Sequence, residues 1–440
     1  MQTPLPELPS ATPDGWRNAA APAAGQLKPD LADWWKAFND PLLDALIASA
    51  LKDNLGVGMA GLRLRAARRL EHHAHADYWP NLNFRIYEET APGASTGYFE
   101  MGFDSEWEFG FFGRAQATSR VATADLNLAT IDEAAARVSV CAEVAKNYIE
   151  LRAAQARMHI AAELIEARRQ RAELMQVRLR TRLAAQIEAE HAQAELQQAL
   201  GEGNEPLASM HQAAAALAVL LGRMEPDAAW LEDGAQPSLP ELAVSAAPAD
   251  LVRTRPEIRR AEQNVLRAAG ELGIARADLY PKLGLVGSLI SATALTGDLD
   301  HPNKAVPLVG PTVQLPLWDW GMRRDVVDAR ESALAASVLA YREAVLEGVA
   351  DVESSLANFA DKTAREKTAA AATELGERGA ASAHTLKRLG LGDGLDESQA
   401  QLAAAEMRLQ QMNARRERAL AFIALYKAFG GALPPLEPAP

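Results

Sequence analysis

Three groups of side chains could carry chemistry, and the first is a cluster of histidines. His72, His73 and His75 stand close together, and His72 and His75 would share one helix face at a spacing of three residues. Imidazole is a ligand for zinc, copper and nickel. No carboxylate or Cys stands at a recognised ligand spacing, so we predict an exposed junction without metal, and His72 and His75 are the candidate ligands if a metal does bind.

The second group is acidic and alternates with apolar side chains. Between Phe99 and Phe111 the odd positions are apolar or aromatic except for Ser105, whereas the even positions are acidic or Gly. Because successive side chains of a strand point to opposite faces, this segment predicts a strand with one apolar and one acidic face. Alternation alone fits a half-buried strand of a soluble sheet as well as a strand that contacts lipid. The acidic side chains are Glu100, Asp104, Glu106 and Glu108.

The third group surrounds a glycine-rich turn, Gly390-Leu391-Gly392-Asp393-Gly394. The turn lacks the preceding strand and the Lys-Ser/Thr of a phosphate-binding loop, which argues against nucleotide binding. Asp396 and Gln399 form a capping pattern for a following helix. No nucleophile, base and orienting acid stand at a recognisable spacing, so we expect neither an enzyme nor a cofactor.

The elements that must position these groups occur twice. The segment Ala76–Leu82 (ADYWPNL) returns as Ala277–Leu283 (ADLYPKL), about 200 residues later. Each copy leads into two strand-like runs, then into Phe112-Gly113-Arg114 or Trp320-Gly321-Met322-Arg323, and then into a long helical stretch. An internal duplication of this size predicts two equivalent halves packed side by side.

Much of the remaining chain is predicted to be helix. Neither Gly nor Pro occurs from Arg114 to Leu200, and we expect a reversal near residues 183–190, equivalent to the one at the glycine-rich turn. Positions spaced alternately by four and three are mostly apolar and predict a coiled-coil seam in each half, with polar interruptions at Gln155, Arg169, Gln176 and Arg416. In the first half the seam positions are Val144, Tyr148, Leu151, Gln155, Met158, Ala162, Ile165, Arg169, Ala172, Gln176, Leu179 and Leu183. In the second half they are Leu402, Ala405, Leu409, Met412, Arg416, Ala419, Ile423 and Tyr426.

The two strand pairs have features of membrane-crossing hairpins. Strands of about 10 to 15 residues are long enough to cross a bilayer at the usual tilt. Lipid tolerates no open sheet edge, and four strands cannot close a barrel, so such hairpins require an oligomer. A trimer with twelve strands is the smallest assembly that leaves a water path. Aromatic residues at the hairpin bases, where an interfacial girdle would lie, are Tyr78, Trp79, Phe111, Phe112, Tyr280, Trp318 and Trp320.

Composition excludes several other classes of protein. The net charge of −13 argues against nucleic acid as a partner, because phosphate binding needs a basic surface. The single Cys141 allows neither a disulfide framework nor a Cys-based metal motif. No run of about 18 apolar residues occurs, which excludes a transmembrane helix. Residues 1–24 are rich in Pro and Ala and lack the pattern of a secretory leader, so we expect that a leader is absent from this chain.

These patterns divide the chain into nine segments. They are an extended N-terminal segment (1–40), first-repeat helices (41–79), a first barrel hairpin (80–113), a first long helical hairpin (114–222), a Pro/Ala-rich linker (223–250), second-repeat helices (251–280), a second barrel hairpin (281–320), a second long helical hairpin (321–431) and a C-terminal tail (432–440).

Five further motifs stand in a characteristic order and spacing: residues 34–43 (WWKAFNDPLL), 107–114 (WEFGFFGR), 251–262 (LVRTRPEIRRAE), 277–283 and 315–321 (LPLWDWG). In these motifs the chain resembles the TolC-like outer membrane factors, most closely the OprM/NodT branch of efflux channels. The resemblance implies a mainly α fold with a membrane β-barrel part, in which duplicated coiled-coil helix hairpins and two β-hairpins form a homotrimer with a twelve-stranded barrel and a helical tunnel. Members usually carry a lipid-modified Cys at the mature N-terminus, but no Cys stands near the start of this chain.

The resemblance also implies partners, a location and site residues. The expected function is that of a passive outer membrane duct for drugs, metals or other small toxic solutes, with a long periplasmic extension, a periplasmic adaptor protein and an inner membrane pump that is proton-driven. An acidic ring at the periplasmic tip would contain Asp396, with Asp393 beside it and Glu190 as the first-repeat equivalent. The adaptor contact would include Arg388, Gly390, Gly392 and Gly394, and the barrel lumen would contain the four acidic residues of the alternating strand.

Two other functions fit the same sequence. One is the outer membrane duct of a type I protein secretion system, which would share the architecture. The other is a soluble coiled-coil scaffold with a small sheet, which would fractionate with cytosol and need no detergent.

Overall fold

The fold is mainly helical, with one four-stranded sheet at one end of two long helices. The computed structural model describes Arg17 and residues 33–89, 98–240, 254–294 and 306–430. Residues 90–97 and 295–305 within the two predicted barrel hairpins lie outside these ranges, as do the C-terminal tail, most of the N-terminal segment and part of the linker. None of the helices in the described ranges combines the length and apolar character that a bilayer crossing requires.

The elements follow the predicted order of helices and strands. The helices are α1 (Pro41–Asp53), α2 (Leu55–His72), α3 (Arg114–Arg180), α4 (Gln186–Glu202), α5 (Glu205–Leu220), α6 (Ala228–Leu231), α7 (Pro256–Ala277), α8 (Met322–Arg388) and α9 (Gly394–Ala428). The strands are β1 (Asn83–Glu89), β2 (Tyr98–Glu108), β3 (Lys282–Ala294) and β4 (Val306–Gln314). Short 3₁₀ helices span Trp34–Phe38 and Ala76–Tyr78.

The four strands form one antiparallel sheet in the order β1-β2-β3-β4. Phe103 of β2 lies opposite Phe84 of β1 and Leu289 of β3, so apolar side chains from three strands share one face. Asp104, one residue along, belongs to the other face and lies opposite Ser288. The strand alternation predicted from the sequence is therefore observed, with an apolar and a polar face.

The duplication is maintained residue by residue. Helices α3 and α8 both contain 67 residues, and the pairs Arg114/Met322 and Arg180/Arg388 at their ends are each 208 residues apart. The N-cap residues of α2 and α7, Asn54 and Arg255, are 201 residues apart, as are the starts of the repeated motif, Ala76 and Ala277.

The sheet register follows the same two offsets. Phe84 lies opposite Phe103 in the first hairpin, and their equivalents Leu285 and Pro311 lie opposite each other in the second. One pair of offsets, 201 for α2 and β1 and 208 for β2 and α3, therefore maps the first repeat onto the second.

The long helices make the molecule a rod. At about 1.5 Å per residue, α3 and α8 are each roughly 100 Å long. The second return helix, α9, is continuous over 35 residues, whereas the first is divided into α4 and α5 at Gly203-Asn204. Pro206 stands in the first turn of α5, where its missing N–H has no intrahelical partner to lose, so the chain restarts a helix there instead of continuing one.

The main apolar core lies where α1, α3, α5, α8 and α9 meet. Trp34 stacks on Tyr426 with ring centroids 5.8 Å apart. Tyr148 of α3 donates its hydroxyl to Asp40 at 2.7 Å, and Asp40 also caps α1. The burial of large side chains at this level fixes the N-terminal segment against the C-terminal helix.

The predicted seam is right along α9 and partly wrong along α3. The apolar seam residues of α9 are buried or half-buried, and Arg416, the interruption, pairs with Glu150 at 3.0 Å. In α3 the seam holds from Val144 to Gln155, but Ala162 and Arg169 are exposed. A straight α-helix drifts by about 20° per heptad from a strict seven-residue repeat, so residues on a neighbouring row become buried farther along. Those residues are Leu164 and Ala167.

Candidate functional sites at the helix tips and the sheet

The two long hairpins reverse through turns of the same geometry. After α3, the amide of Leu183 donates to the carbonyl of Arg178 at 2.7 Å, and after α8 the amide of Leu391 donates to the carbonyl of Leu386 at 2.9 Å. The residue before each donor adopts the left-handed conformation that closes such a helix end. It is Arg182 in the first turn, with φ 60°, and Gly390 in the second, with φ 70°. The glycine that is missing from the first turn is therefore replaced by a strained arginine.

Replacing Arg182 by Gly should stabilise the first turn. The left-handed conformation costs a residue with a Cβ atom about 1–2 kcal/mol, and Gly escapes most of this cost. We expect the Leu183 amide to exchange its hydrogen about fivefold more slowly, since 1 kcal/mol corresponds to roughly that factor. Hydrogen exchange followed by mass spectrometry measures this change. The matched variant Gly390→Ala should accelerate exchange at the Leu391 amide. If neither variant changes the exchange rate of its amide relative to the wild-type protein, the left-handed residue does not strain the turn.

A side-chain bridge joins the two tips. Asp393 accepts a hydrogen bond from Arg178 at 2.6 Å and caps α9 by accepting from the backbone amide of Leu395. The hydrogen bond from the Leu395 amide lowers the pKa of Asp393 below its ordinary value, and the hydrogen bond from Arg178 lowers it further. The sequence-based capping pattern placed the N-cap at Asp396, which is wrong, because α9 begins three residues earlier than that pattern implied.

The other two acidic residues predicted at the tip occupy different positions. Asp396 lies in the first turn of α9 and is exposed. Its equivalent by the 208-residue offset is Glu188, which accepts a hydrogen bond from the Ala185 amide at 2.8 Å. Glu190 lies two residues farther along and accepts from Gln186 at 2.7 Å. The prediction that Glu190 is the first-repeat equivalent of Asp396 is therefore wrong, because the N-caps of α4 and α9, Ala185 and Asp393, keep the offset of 208 residues.

The residues predicted to contact an adaptor surround the second turn. Arg388 is the last residue of α8, Gly390 and Gly392 lie in the turn, and Gly394 is the first residue of α9. The first three are exposed, so a partner could reach the turn from several sides. Large apolar side chains are also exposed at the two turns. They are Leu183, Leu389 and Leu391, with 69%, 62% and 74% of their surface exposed.

The tip also contains a buried carboxylate that the sequence analysis missed. Glu397 of α9 is buried, accepts a hydrogen bond from Nδ1 of His384 at 2.6 Å and pairs with the ammonium group of Lys387. The hydrogen bond from Lys387 has the largest effect on Glu397 and lowers the pKa of this carboxyl group. The hydrogen bond from His384 lowers it further. Local spacing gives no signal for this cluster, because the three side chains meet only when α9 folds back on α8.

The α8–α9 tip should therefore weaken in acid. Glu397 has a lower pKa in the folded protein than the ordinary value of 4.5, so its ionised form contributes stability that is complete above pH 4.5 and is lost as pH falls through the folded value. We expect hydrogen exchange at residues 384–397 to accelerate below about pH 4.5, after correction for the intrinsic rate. Glu397→Gln should show fast exchange at every pH. A wild-type profile that is flat into the acid range would contradict this role.

The four acidic residues of β2 lie on one face of the sheet, opposite the apolar face. Two of them are paired with arginines. Asp104 accepts from Arg85 of the neighbouring strand at 3.0 Å, and Glu108 lies 3.3 Å from Arg114 at the start of α3. The remaining two, Glu100 and Glu106, add negative charge to this face of the sheet.

The histidines are not arranged as the sequence suggested. Helix α2 ends at His72, so His75 lies beyond it, and the two side chains do not share a helix face. The ring of His72 packs instead against His73 with centroids 5.1 Å apart. Across the described ranges, no group of three or more His, Cys, Asp or Glu side chains is placed to hold a metal ion.

The described chain combines a sheet that exposes an apolar face with helices of about 100 Å, as expected for a protein with a membrane-embedded part and a long helical extension. Comparison with known proteins identifies the family. The family model described as "Outer membrane efflux protein" matches residues 46–223 and 247–431, and the chain belongs to that family.

Individual relatives agree with this assignment. The pyoverdine export outer membrane protein OpmQ of Pseudomonas aeruginosa is 30% identical, over 96% of this chain and 91% of its own length. The cation efflux system protein CusC of Escherichia coli O6:H1 is 24% identical, over 97% of this chain and 93% of its own length. Among solved structures, the outer membrane channel OprN has the same fold, with a TM-score of 0.83 at 24% identity, covering 98% of this chain and 99% of OprN. The family supports an outer membrane location and an efflux channel role.

Proposed function

We propose that the chain is one subunit of a homotrimeric exit duct in a tripartite efflux system. The observation that carries this proposal is the exposed apolar face of the four-stranded sheet. Phe84, Ile86 and Val313 expose 56%, 58% and 63% of their surface, although large apolar side chains gain free energy when they leave water. Contact with membrane lipid would remove this surface from water. Family membership makes the outer membrane the relevant bilayer.

The open edges of the described sheet support an assembly of three copies. Strands β1 and β4 are the edges of the described sheet, and an unpaired backbone group in hydrocarbon costs several kcal/mol. Joining β4 of one copy to β1 of the next removes the edges when the ring closes. Two copies would give eight strands, whose interior is filled by side chains, whereas three give twelve strands and a lumen. The acidic face of β2 would line that lumen.

The helix tips are the proposed contact with a periplasmic adaptor. The exposed leucines of the two turns form an apolar surface. Within or next to this surface lie Arg388, Gly390, Gly392 and Gly394. Apolar surface rimmed by polar residues is typical of a protein interaction site. An inner membrane pump, proton-driven by analogy with the efflux branch, would pass solute through the adaptor into the duct.

The proposed cargo is a small toxic solute, such as a drug or a metal ion. Two relatives have names that describe export of pyoverdine and efflux of cations, so one architecture serves chemically different cargo. Glu100, Asp104, Glu106 and Glu108 would give the lumen a negative potential that favours cations. Selection of the cargo would then lie mainly with the pump, and the duct would act passively.

Removing the Asp396 carboxylate should raise single-channel conductance. In a trimer three copies of this exposed side chain would approach the axis at the tip and narrow it. Asp396→Ala removes both bulk and charge, whereas Asp396→Asn removes only charge, so the pair separates the two effects. We expect a larger current through the Ala variant in a planar bilayer. An unchanged current in both variants would remove Asp396 from the gate.

The experiment that tests the function combines location, mass and current. The detergent-solubilised particle should come from outer membrane pellets, have three times the mass of the chain and conduct ions in a planar bilayer. Expression in a strain that lacks its own efflux duct should restore resistance to toxic solutes. A monomer in the cytosolic fraction would indicate a soluble scaffold, and rescue of protein secretion without rescue of resistance would indicate a type I secretion duct.

A further inference from the structure

A cavity of about 200 Å³ opens beside the break between α4 and α5, far from the sheet and from the helix tips. It lies between α3, the two halves of the first return helix and α9. Its apolar wall consists of Ala161, Leu164, Ile165, Pro206 and Leu409. An apolar cavity of roughly 150 Å³ is large enough to hold benzene. The space therefore admits an organic molecule with one or two rings.

Small residues near the break keep this cavity open. Gly203 lies in the break and has no side chain, and a Cβ atom there would lie 2.9 Å from Cδ1 of Ile165. Ala199, about one turn earlier in α4, is buried and extends only a methyl group into the lining. A larger side chain at either position would occupy the space.

The second repeat fills the equivalent space. Adding 208 to Ala199 gives Met407, which lies in the continuous helix α9. Gly376 makes room for the sulfur of Met407, because a Cβ atom on Gly376 would lie only 2.6 Å from it. The first-repeat equivalent of Gly376 is Arg168, which lines the cavity. Since both repeats share one architecture, the architecture alone does not require the cavity.

The charges around the cavity differ in burial. The side chains of Arg157 and Arg168 expose only 25% and 22% of their surface. Glu205 exposes 71%, and Glu202 is exposed and accepts a hydrogen bond from Gln198 at 2.9 Å. Water and salt screen exposed charges more than partly buried ones. The potential inside the cavity is therefore set mainly by the two arginines and is positive.

Arg157 has donors to spare for a ligand. A guanidinium group has five N–H donors. Within the described ranges, this group donates to Oδ1 of Asn413 at 3.2 Å and lies 3.5 Å from the exposed carboxylate of Glu205. An ion pair with an exposed carboxylate is weak. A carboxylate held inside the cavity could accept two parallel hydrogen bonds from Arg157, which is the strong geometry for such a pair.

We propose that this cavity binds a small amphipathic anion of the aromatic carboxylate class. The carboxylate of the ligand accepts hydrogen bonds from Arg157, and its flat apolar body lies against Leu164, Ile165 and Leu409. Arg168 closes the other end of the site, roughly 16 Å along α3 from Arg157. The cavity is lined by residues of one chain, so this proposal goes beyond the proposed duct and does not depend on it.

Titration calorimetry of the full-length protein in detergent with 2-naphthoate tests the site, with protein-free micelles as the blank. We expect one ligand for each chain. Arg157→Gln should weaken binding about tenfold to a hundredfold, as expected for the loss of a hydrogen bond to a charged group. The matched control is Arg365→Gln, because Arg365 is the second-repeat equivalent and pairs with Asp361 on an exposed surface. This control should bind 2-naphthoate as the wild-type protein does.

A second variant fills the cavity without removing a charge. Ala199→Met introduces the side chain that the second repeat has at the equivalent position, so the helices should still pack. We expect it to abolish binding while the midpoint of thermal unfolding stays close to that of the wild-type protein. The neutral alcohol 2-naphthalenemethanol has a similar shape, and it should bind the wild-type protein at least tenfold more weakly than 2-naphthoate.

Hydrogen exchange locates the ligand without any substitution. Saturating 2-naphthoate should slow exchange at residues 199–208 and leave the α8–α9 tip, residues 384–397, unchanged. The proposal would be overturned if 2-naphthoate did not bind the wild-type protein, if Arg157→Gln and Ala199→Met both bound it normally, or if the alcohol bound equally well. A trimer that conducts ions but does not bind 2-naphthoate would overturn the site and leave the duct standing.

Discussion

Arginine in place of Leu289 is expected to abolish assembly in the outer membrane. Leu289 lies on the apolar face in β3, opposite Phe103, and is exposed in the single chain. Arg on the lipid face of a barrel costs about 2–4 kcal/mol at the bilayer midplane, and a trimer would carry this cost three times. We expect the variant to disappear from the outer membrane fraction and to lose the trimer band on a non-denaturing gel.

The neighbouring residue provides a matched control. Ser288 lies one position earlier in β3, on the face of the sheet that carries Asp104. Ser288→Arg introduces the same side chain next to a carboxylate and on the water-facing side, so assembly should survive and only the ion selectivity should shift. If both variants assemble equally well, the apolar face of the sheet does not contact lipid, and the duct proposal fails.

A second large effect is expected at Arg418. This buried side chain of α9 donates to Glu366 of α8 at 2.7 Å and to the carbonyls of Leu239 and Pro240 at 3.1 and 2.7 Å. Arg418→Met removes three hydrogen bonds and leaves buried acceptors unsatisfied, which typically costs about 3–5 kcal/mol for a buried ion pair. We expect a lower midpoint of thermal unfolding and rapid proteolysis within residues 232–240.

Arg415 provides the comparison for this prediction. It approaches the same Glu366 carboxylate at 3.5 Å, but its side chain is about a third exposed. Exposed ion pairs contribute about 0–1 kcal/mol, so Arg415→Met should change the unfolding midpoint little. Similar losses in the two variants would mean that Arg418 does not fix the segment that precedes residue 240 onto the helices.

The fold could be predicted from the sequence to a considerable extent because its signals are local and repeated. The two copies of the Ala-Asp motif, the alternation in β2 and the absence of Gly and Pro along α3 each depend on neighbours in the chain. Repetition then supplied the arrangement, since the second hairpin had to resemble the first. Beyond Gln155 the predicted α3 seam was only partly right, since Ala162 and Arg169 are exposed whereas Ala172 is buried. A strict heptad accumulates an angular error along a straight helix, so it cannot predict every contact of so long a helix.

The tips were predicted less well because their contacts connect distant parts of the chain. Asp393 meets Arg178 across 215 positions, and no local pattern indicates that pair. The N-cap was predicted at Asp396 because Gln399, three residues later, completes a capping pattern, but Asp393 caps α9 instead. Glu190 was predicted as the first-repeat equivalent of Asp396, whereas the bounds of α4 and α9 place Glu188 at that position.

Because α3 and α8 have the same length, the two helix tips end at the same distance from the sheet. A seven-residue insertion would lengthen one of these helices by about 10 Å. The two tips would then stay at the same height only if the other long helix and both return helices were lengthened by the same amount. The length of the rod can therefore change without misaligning the tips only when both long helices and both return helices are lengthened together. In the proposed duct this length would set the distance between the membrane and the adaptor protein.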